Sequence, residues 1–320
     1  MKYLKYVAAV FILLFSGLSI PANGYSEPNF KIKGAPGLHI DQDKPRMYLI
    51  AVIDTDDKDI GKRCESDLDE VTFAFEDLAG WLDVEETIKI IKGDEFNKAA
   101  VNDAIDNWLP SQQLNKDDIV FFYYSGHGFR YPEDVSEYPR MWLKTSEDQN
   151  IATTNLRMEE DIYDRIVKMG AGVNIILSDC CNTTAAGDNA DYDNVIVPNS
   201  PKVAHKRPNS RQANSDDEMD NGDKLFIPEK PFSILATAAA KGEFAGGKAE
   251  NGGFFTAYFL QALSKCIYDT EIEPAWENIF DYTNEKAGYW ARSAACPKAK
   301  HNEQGRCVQT AKFKKTEGSD

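Results

Sequence analysis

Short apolar runs that alternate with amphipathic segments constrain the fold of this chain more than any other feature. Runs rich in β-branched and aromatic residues predict five strands, at 47–53, 87–91, 118–124, 173–178 and 232–240. Helical spacing of apolar residues predicts helices at 66–82, 97–109, 157–169, 252–265 and 276–286. Because strands that alternate with helices form parallel sheets covered on both faces, we expect an α/β fold with a mostly parallel sheet.

The first residues have the layout of a secretory signal peptide. Lys2 and Lys5 precede a largely apolar run at 7–20, and small residues lead up to Gly24. A membrane anchor is the alternative, but fourteen residues are short for a span. We therefore expect a signal peptide at 1–24, a polar N-terminal arm at 25–45, and a secreted or periplasmic mature protein.

The mature chain is strongly acidic. The formal charge is −16, and the loss of Lys2 and Lys5 with the signal peptide leaves −18. A surface of this sign repels nucleic acid and anionic membranes, so we expect neither as a partner. No later segment is apolar for long enough to span a bilayer, so no membrane attachment is expected after signal cleavage.

Six cysteines lie in the mature part, and an exported protein can use them in disulfides. Cys296 and Cys307 flank a short polar loop and are the favoured pair. Zinc is a weaker alternative, because the chain has four histidines and no Cys-x-x-Cys pair. We therefore predict no metal centre.

A polar stretch at 185–230 divides the chain. It is rich in Asp, Asn, Ser and Pro and has only scattered large apolar residues. Such a composition predicts a flexible acidic linker between a larger portion at 46–184 and a smaller portion at 231–320.

Two of the predicted strands end in reactive side chains. One ends in Ser125-Gly126-His127-Gly128 and the other in Asp179-Cys180-Cys181, and His127 precedes Cys181 by 54 residues. Taken singly, the histidine is typical of a turn and the cysteine pair of core packing. Because the carboxyl ends of parallel strands share one edge of a sheet, we expect imidazole and thiol to meet there. An imidazole beside a thiol activates it as a nucleophile.

The neighbouring backbone offers donors for an oxyanion. Gly128 presents its N–H without a side chain in the way, and the N–H of Cys181 is a second candidate. Acyl transfer through a tetrahedral intermediate needs such donors. We therefore predict an oxyanion hole at Gly128 and Cys181.

The segments "YYSGHG" and "SDCC", in this order and spacing, resemble the caspase-like cysteine peptidases, and within them the metacaspase branch of the exported bacterial type. The resemblance extends over about 46–265 and includes "GKRCESD" and "GGFFTAYFLQAL". It implies a caspase-like three-layer sandwich with a sheet of about six strands and helices on both faces.

The resemblance also implies which thiol reacts. In metacaspases the nucleophile lies two residues after an aspartate, which indicates Cys181, while Cys180 occupies a variable position and is expected to pack beneath the sheet. Cys180 as the nucleophile remains the alternative. The chain departs from the family after the nucleophile, where it has Asn182-Thr183-Thr184.

Specificity follows from the same likeness. Metacaspases pair the aspartate before the nucleophile with one after the first strand, which matches Asp179 and Asp67, and two carboxylates would bind the side chain of Arg or Lys. Asp54 and Asp56 are possible rim residues. An acid in the first turn of a helix is the structural alternative for Asp67. Arg63 is the one nearby base that would favour acidic substrates instead.

The linker matches the place where caspase-like enzymes are cleaved. It carries four basic candidates for self-processing: Lys202, Lys206, Arg207 and Arg211. The sequence requires no cofactor, although many metacaspases need calcium. Acids at 216–223 are candidates for Ca²⁺, but they lack EF-hand spacing and are better explained as a solvated charge run.

The sequence thus predicts an exported cysteine endopeptidase that cuts polypeptides after Arg or Lys. Cys181 would attack the carbonyl and His127 would act as acid and base. The alternative is a catalytically inactive caspase-fold protein that binds or regulates a partner.

Overall fold

The computed structural model describes residues 45–143, 150–184, 216–268, 272–293 and 307–318. Several predictions fall outside these ranges: the signal peptide at 1–24, the arm as far as residue 44, the processing candidates Lys202, Lys206, Arg207 and Arg211, and Cys296.

Six strands form one central sheet. The strands described are β1 (Arg46–Ile53), β2 (Glu85–Ile91), β3 (Ile119–Ser125), β4 (Gly128–Arg130), β5 (Arg140–Trp142), β6 (Asn155–Arg157), β7 (Val173–Asp179), β8 (Thr183–Thr184), β9 (Phe232–Thr237), β10 (Gly247–Lys248), β11 (Gly252–Gly253) and β12 (Lys312–Glu317). The central sheet has the order β12-β9-β7-β3-β1-β2. All its neighbours are parallel except the antiparallel pair of β12 and β9. The predicted mostly parallel sheet of about six strands is confirmed.

Helices cover both faces of this sheet. They are α1 (Gly61–Leu82), α2 (Lys98–Asp103), α3 (Leu109–Ser111), α4 (Asp164–Val167), α5 (Asp216–Phe226), α6 (Phe254–Ile267) and α7 (Trp276–Ala291). A π-helical stretch, Ala104–Trp108, joins α2 to α3, and another, Met158–Tyr163, leads into α4.

Alternation along the strands separates two cores. In β1, Leu49 and Ala51 pack on the face covered by α1, α5, α6 and α7, whereas Ile50 and Val52 pack on the face covered by α2, α3 and α4. Successive side chains of a strand point to opposite faces, so a strand that is apolar throughout has both of its faces buried. The result is the expected three-layer sandwich.

Two smaller sheets extend the edge of the sandwich where β3 and β7 end. Strands β6, β5, β4 and β8 form a four-stranded sheet in that order, and β10 pairs with β11. Because β4 follows β3 and β8 follows β7 within a few residues, this extension continues both strands beyond the central sheet.

Helix α5 lies within the stretch that we predicted as a linker. Leu225 and Phe226, at its end, are buried, and the Phe226 ring contacts Trp276 of α7 at 5.4 Å between centroids. Since two large apolar side chains leave water here, the smaller portion of the fold begins before the predicted boundary at 231.

Helix α1 begins five residues before the predicted start at 66. Asp57 creates this start: its Oδ1 accepts from the N–H groups of Asp59 and Ile60 at 2.8 and 2.9 Å, and its carbonyl accepts from the N–H of Gly61. The first turns of α1 carry polar residues, so apolar spacing alone did not reveal them.

Cys307 forms a disulfide, whereas Cys64, Cys180, Cys181 and Cys266 are free thiols. Cys296, its predicted partner, lies outside the described residues. Among the helices that are described, none combines the length and apolarity that crossing a membrane requires.

Candidate active site

The ends of β3 and β7 are in register. Ser125, the last residue of β3, pairs with Asp179, the last residue of β7, in a parallel arrangement. His127 and Cys181 each follow these paired residues by two positions. The sheet therefore carries the imidazole and the thiol past the same edge on adjacent strands, as expected for a site at a carboxyl edge.

The two adjacent cysteines differ in environment. Cys180 is fully buried and packs in the core on the α2 side of the sheet, where Tyr124 is a neighbour. Burial raises the pKa of its thiol well above the ordinary value. Cys181 is partly exposed and contacts the opposite core. Of the two, Cys181 is the thiol that a substrate can reach.

Gly128 occupies a position with no room for a side chain. A β-carbon there would lie 2.3 Å from the carbonyl oxygen of Cys181 and 2.5 Å from the Sγ of Cys180. The backbone of the segment that carries His127 thus lies directly against the segment that carries the two cysteines. This close approach explains why a glycine follows His127.

His127 is held by an acid that sequence reasoning missed. Its Nε2 lies 3.2 Å from Oδ2 of Asp57, and the two side chains are only 8% and 4% exposed. The His127 ring also meets the Trp142 ring edge-on at 6.0 Å between centroids. No sequence signal pointed to Asp57, because the helix that it precedes was predicted to begin only at 66.

Cys181 contacts the loop that follows β9. The N–H of Ala245 donates to Sγ at 3.3 Å. Burial raises the pKa of the Cys181 thiol above its ordinary value, although this N–H and the charge of Arg63 oppose the rise. A thiol with a raised pKa is a poor nucleophile by itself and needs a base to take its proton.

Asp67 and Asp179 form a buried pair of carboxyl groups. Asp67 accepts from the Ser125 hydroxyl at 2.6 Å and from the Gly253 N–H at 2.7 Å. One oxygen of Asp179 accepts from the N–H and hydroxyl of Thr256 at 3.0 and 2.8 Å. The other oxygen, Oδ1, is buried without a hydrogen-bond partner in the described structure.

Burial and mutual repulsion control the charge of this pair. Burial, reinforced by Asp179, raises the pKa of Asp67 from its ordinary 3.8 to about 7, and burial also raises the pKa of Asp179. The helix-dipole explanation of Asp67 is wrong, because α1 begins at Gly61 and has no acid in its first turn. A buried pair of this kind disfavours a double negative charge unless a cation enters.

Arg63 supplies a positive charge beside the pair. Its side chain is 9% exposed, Nη1 donates weakly to the Ala245 carbonyl at 3.4 Å, and Cδ would lie 2.4 Å from a β-carbon on Gly247. Burial opposes its charge, but neighbouring groups that include Asp179 and Asp67 raise its pKa. Nε has no hydrogen-bond partner in the described part of the chain.

The two predicted rim residues lie in the loop that follows β1. Asp54 follows β1 directly, is 3% exposed and lies beside His127 and Asp57, and its N–H donates to the Ser125 carbonyl. Asp56 is exposed and accepts from the Thr55 hydroxyl at 3.3 Å.

Among the residues that the structure describes, one group of side chains has the spacing to hold a metal ion. Ligand atoms of Asp54, Asp57 and His127 all lie within 4.8 Å of one another. An ion there would take the imidazole electron pair that a histidine base needs. A metal ion at this group and a base role for His127 therefore exclude each other.

Asn182 anchors the segment after Cys181. It is fully buried, and its amide donates to the carbonyls of Glu137 and Ala239 at 2.9 and 3.2 Å. Its backbone N–H donates to Glu243 at 3.0 Å. The departure from the family pattern at this position thus has a structural role that sequence reasoning missed.

Comparison with known proteins gives one match to a family. The caspase domain matches residues 57–302, which is most of the chain. None of the curated proteins compared with the chain matches it.

Three solved structures illustrate what the chain is similar to. A protein from Geobacter sulfurreducens is 16% identical, with a TM-score of 0.45 and coverage of 87% of this chain and 95% of that one. Caspase-1 from Spodoptera frugiperda is 10% identical, with a TM-score of 0.46 and coverage of 84% and 85%. The Drosophila initiator caspase Dronc is 12% identical, with a TM-score of 0.41 and coverage of 94% of both chains.

Proposed function

The chain belongs to the caspase-domain family, and from that premise we propose that it is a cysteine endopeptidase that hydrolyses polypeptides after arginine or lysine. Cys181 is the nucleophile and His127 the acid and base. The registered ends of β3 and β7 support this assignment, because they carry both side chains past one edge of the sheet.

The reaction proceeds in two halves. His127 takes the proton of the Cys181 thiol, and the thiolate attacks the scissile carbonyl carbon to form a tetrahedral oxyanion, which the N–H groups of Gly128 and Cys181 stabilise. His127 then gives the proton to the leaving amine as the C–N bond breaks. A water molecule next loses a proton to His127 and attacks the thioester, which releases the acid and restores the thiol.

One observation carries the proposed specificity: Oδ1 of Asp179 is fully buried and has no hydrogen-bond partner among the described groups. A buried carboxylate oxygen without a donor is costly, and a guanidinium or ammonium from a substrate would supply one. Asp179 precedes Cys181 by two residues, so a side chain bound there belongs to the residue before the scissile bond.

Arg63 makes this pocket unusual. Its charge acts on Asp67, Asp179 and Cys181, yet it forms no ion pair with either carboxyl group among the described residues. We propose that a substrate arginine or lysine displaces the Arg63 head group. Arg63 as a receptor for acidic side chains is the competing specificity.

The remaining features of the proposed function rest on the sequence. We propose export through the signal peptide at 1–24 and self-cleavage at Lys202, Lys206, Arg207 or Arg211. The proposed function requires no cofactor, and activation by Ca²⁺ is the alternative. The acids at 216–223 overlap helix α5, whose backbone is helical rather than looped.

Two inhibitors test the proposal directly. Peptides that carry an acyloxymethyl ketone after either Arg or Asp should be incubated with the purified chain, and the labelled residue mapped by mass spectrometry. We expect the Arg peptide to label Cys181, with little labelling in His127→Ala. Labelling by the Asp peptide alone would overturn the specificity, and labelling by neither, with no peptide hydrolysis, would favour the inactive binding protein.

A further inference from the structure

We propose that Asp57 is the positioning residue that fixes the tautomer of His127, an inference that rests on the proposed peptidase function. Oδ2 of Asp57 lies 3.2 Å from Nε2 of His127, and both side chains are nearly excluded from water. An ionised carboxylate can only accept, so Nε2 must donate. A neutral imidazole has one N–H, and its electron pair is then on Nδ1.

The other oxygen of Asp57 is fixed by the backbone. Oδ1 accepts from the N–H groups of Asp59 and Ile60 at 2.8 and 2.9 Å, at the turn that starts α1. These two donors set the rotation of the carboxyl group and direct Oδ2 at the ring. The turn thus couples the beginning of α1 to the orientation of the imidazole at the end of β3.

This arrangement defines the path of the proton. The Sγ–H proton of Cys181 moves to Nδ1 of His127, while the Nε2–H continues to donate to Asp57, which stays ionised. The carboxylate stabilises the imidazolium, and Nδ1 later gives its proton to the leaving amine. Asp57 does not touch the substrate, so it acts through His127.

Asp57→Asn should reverse the tautomer with little change in shape. The two backbone donors require an oxygen, so the amide oxygen takes the place of Oδ1 and the NH₂ group faces Nε2. Two donors cannot face each other, so the ring proton should move to Nδ1. That nitrogen can then no longer accept the proton of Cys181.

The test uses the full chain labelled with ¹⁵N-histidine. The chain has four histidines, and His127→Ala identifies the signals of His127. We expect the wild type to carry its proton on Nε2 and Asp57→Asn to carry it on Nδ1, with kcat/KM reduced about 10²-fold or more. Asp57→Ser, which retains an acceptor for the turn but has no group facing the ring, should give a mixture of tautomers.

An Nε2–H tautomer retained in both variants, or kcat/KM within threefold of wild type in Asp57→Asn, would overturn the inference. The tautomer is read without substrate. Failure of the proposed peptidase function would therefore appear separately, as a wild type with the expected tautomer and no hydrolysis of any peptide.

Discussion

The hydroxyl of Ser125 donates to Oδ2 of Asp67 at 2.6 Å, and this bond joins the end of β3 to helix α1. Ser125 also pairs through its backbone with Asp179. Ser125, two positions before His127, is therefore linked to both members of the carboxyl pair. The strand that leads to His127, the proposed base, is thus tied to the pocket that would select the substrate.

Ser125→Ala should weaken cleavage after Arg. The Ser125 hydrogen bond lowers the pKa of Asp67, so its loss should favour the protonated, uncharged acid near neutral pH. A hydrogen bond to a charged group contributes about 1.5–3 kcal/mol, so kcat/KM should fall about 10- to 100-fold. The loss should shrink at pH 9, where Asp67 ionises in either protein; an equal loss at both pH values would contradict the argument.

Cys181→Ala should abolish hydrolysis, whereas Cys180→Ala should retain most of it. Cys181 is partly exposed, and Cys180 is fully buried in the core. Loss of the buried thiol leaves a small cavity that should cost roughly 1 kcal/mol of stability. Peptide hydrolysis and urea unfolding of both variants provide the check. Equal loss of activity, with both proteins folded, would leave the nucleophile unassigned.

Asp179→Asn should impair cleavage after Arg and Lys far more than the reactivity of Cys181. The amide oxygen can keep the bonds from Thr256, which leaves an NH₂ group at the place of Oδ1, facing an incoming cation. Removal of one partner of a buried charge pair costs about 2–5 kcal/mol, so kcat/KM should fall at least 30-fold.

Alkylation by iodoacetamide is the control for Asp179→Asn. Asp179 contributes to the raised pKa of Cys181, so the variant should be alkylated at the same rate as wild type or slightly faster. Normal cleavage of Arg substrates by the variant would exclude the basic pocket.

The pH dependence of stability should reveal the buried Asp67. Its pKa of about 7 in the fold exceeds the ordinary 3.8, so the folded state binds the proton more tightly than the unfolded state. Stability should therefore fall as pH rises from about 4 to 7 and stay low above that window. At about 1.4 kcal/mol per pKa unit, a rise from 3.8 to about 7 corresponds to a loss on the order of 4 kcal/mol.

Urea unfolding of Cys181→Ala with and without Asp67→Asn measures this loss. The asparagine can satisfy Ser125 and Gly253 without a charge. The two proteins should be similarly stable near pH 4, and the asparagine variant should be more stable at pH 8. A stability difference that does not change with pH would show that Asp67 does not titrate in this window.

Arg63→Met distinguishes two roles of Arg63: a cation that a basic substrate displaces, or a group that binds an acidic substrate. Methionine keeps the apolar stem packed against Gly247 and removes the charge beside the carboxyl pair. Because Arg63 also lowers the pKa of Asp67 and Asp179, the comparison is made at about pH 9, which favours the ionised acids in both proteins. If the substrate displaces Arg63, kcat/KM for Arg peptides at that pH should rise, on the order of 10-fold for roughly 1.4 kcal/mol. A fall in cleavage of Arg peptides, or loss of an activity toward Asp peptides, would assign Arg63 to substrate binding.

The places of His127 and Cys181 in the fold could be predicted from sequence because their determinants are local. The apolar runs that end at Ser125 and Asp179 predict buried strands, and parallel strands must share a carboxyl edge. His127 and Cys181 follow those runs directly. Strand β12 was not predicted because most of its residues are polar. It lies at the edge of the sheet, where it pairs with β9 alone, in antiparallel orientation.

The surroundings of His127 and Cys181 depend on contacts between distant parts of the chain. Asp67 accepts from Gly253, 186 residues away, and Arg63 contacts Ala245 at a separation of 182. Asp67 and Arg63 belong to the polar first turns of α1, which their sequence alone would predict to be exposed to solvent. Local periodicity records which residues are apolar, but not which charged residues the packing of other elements will bury.

The sequence by itself determined the mostly parallel sheet, the two strand ends and the placement of His127 and Cys181 beyond them, because hydrophobic burial acts on every second residue of a strand. Tertiary structure alone decided that Asp57 faces His127, that Cys180 and Cys181 point into different surroundings, and that two acids and an arginine share a buried pocket. The physical reason is that the charge and hydrogen bonding of a side chain depend on what surrounds it in space, and here those surroundings come from α1, the loop after β9 and the β10–β11 pair.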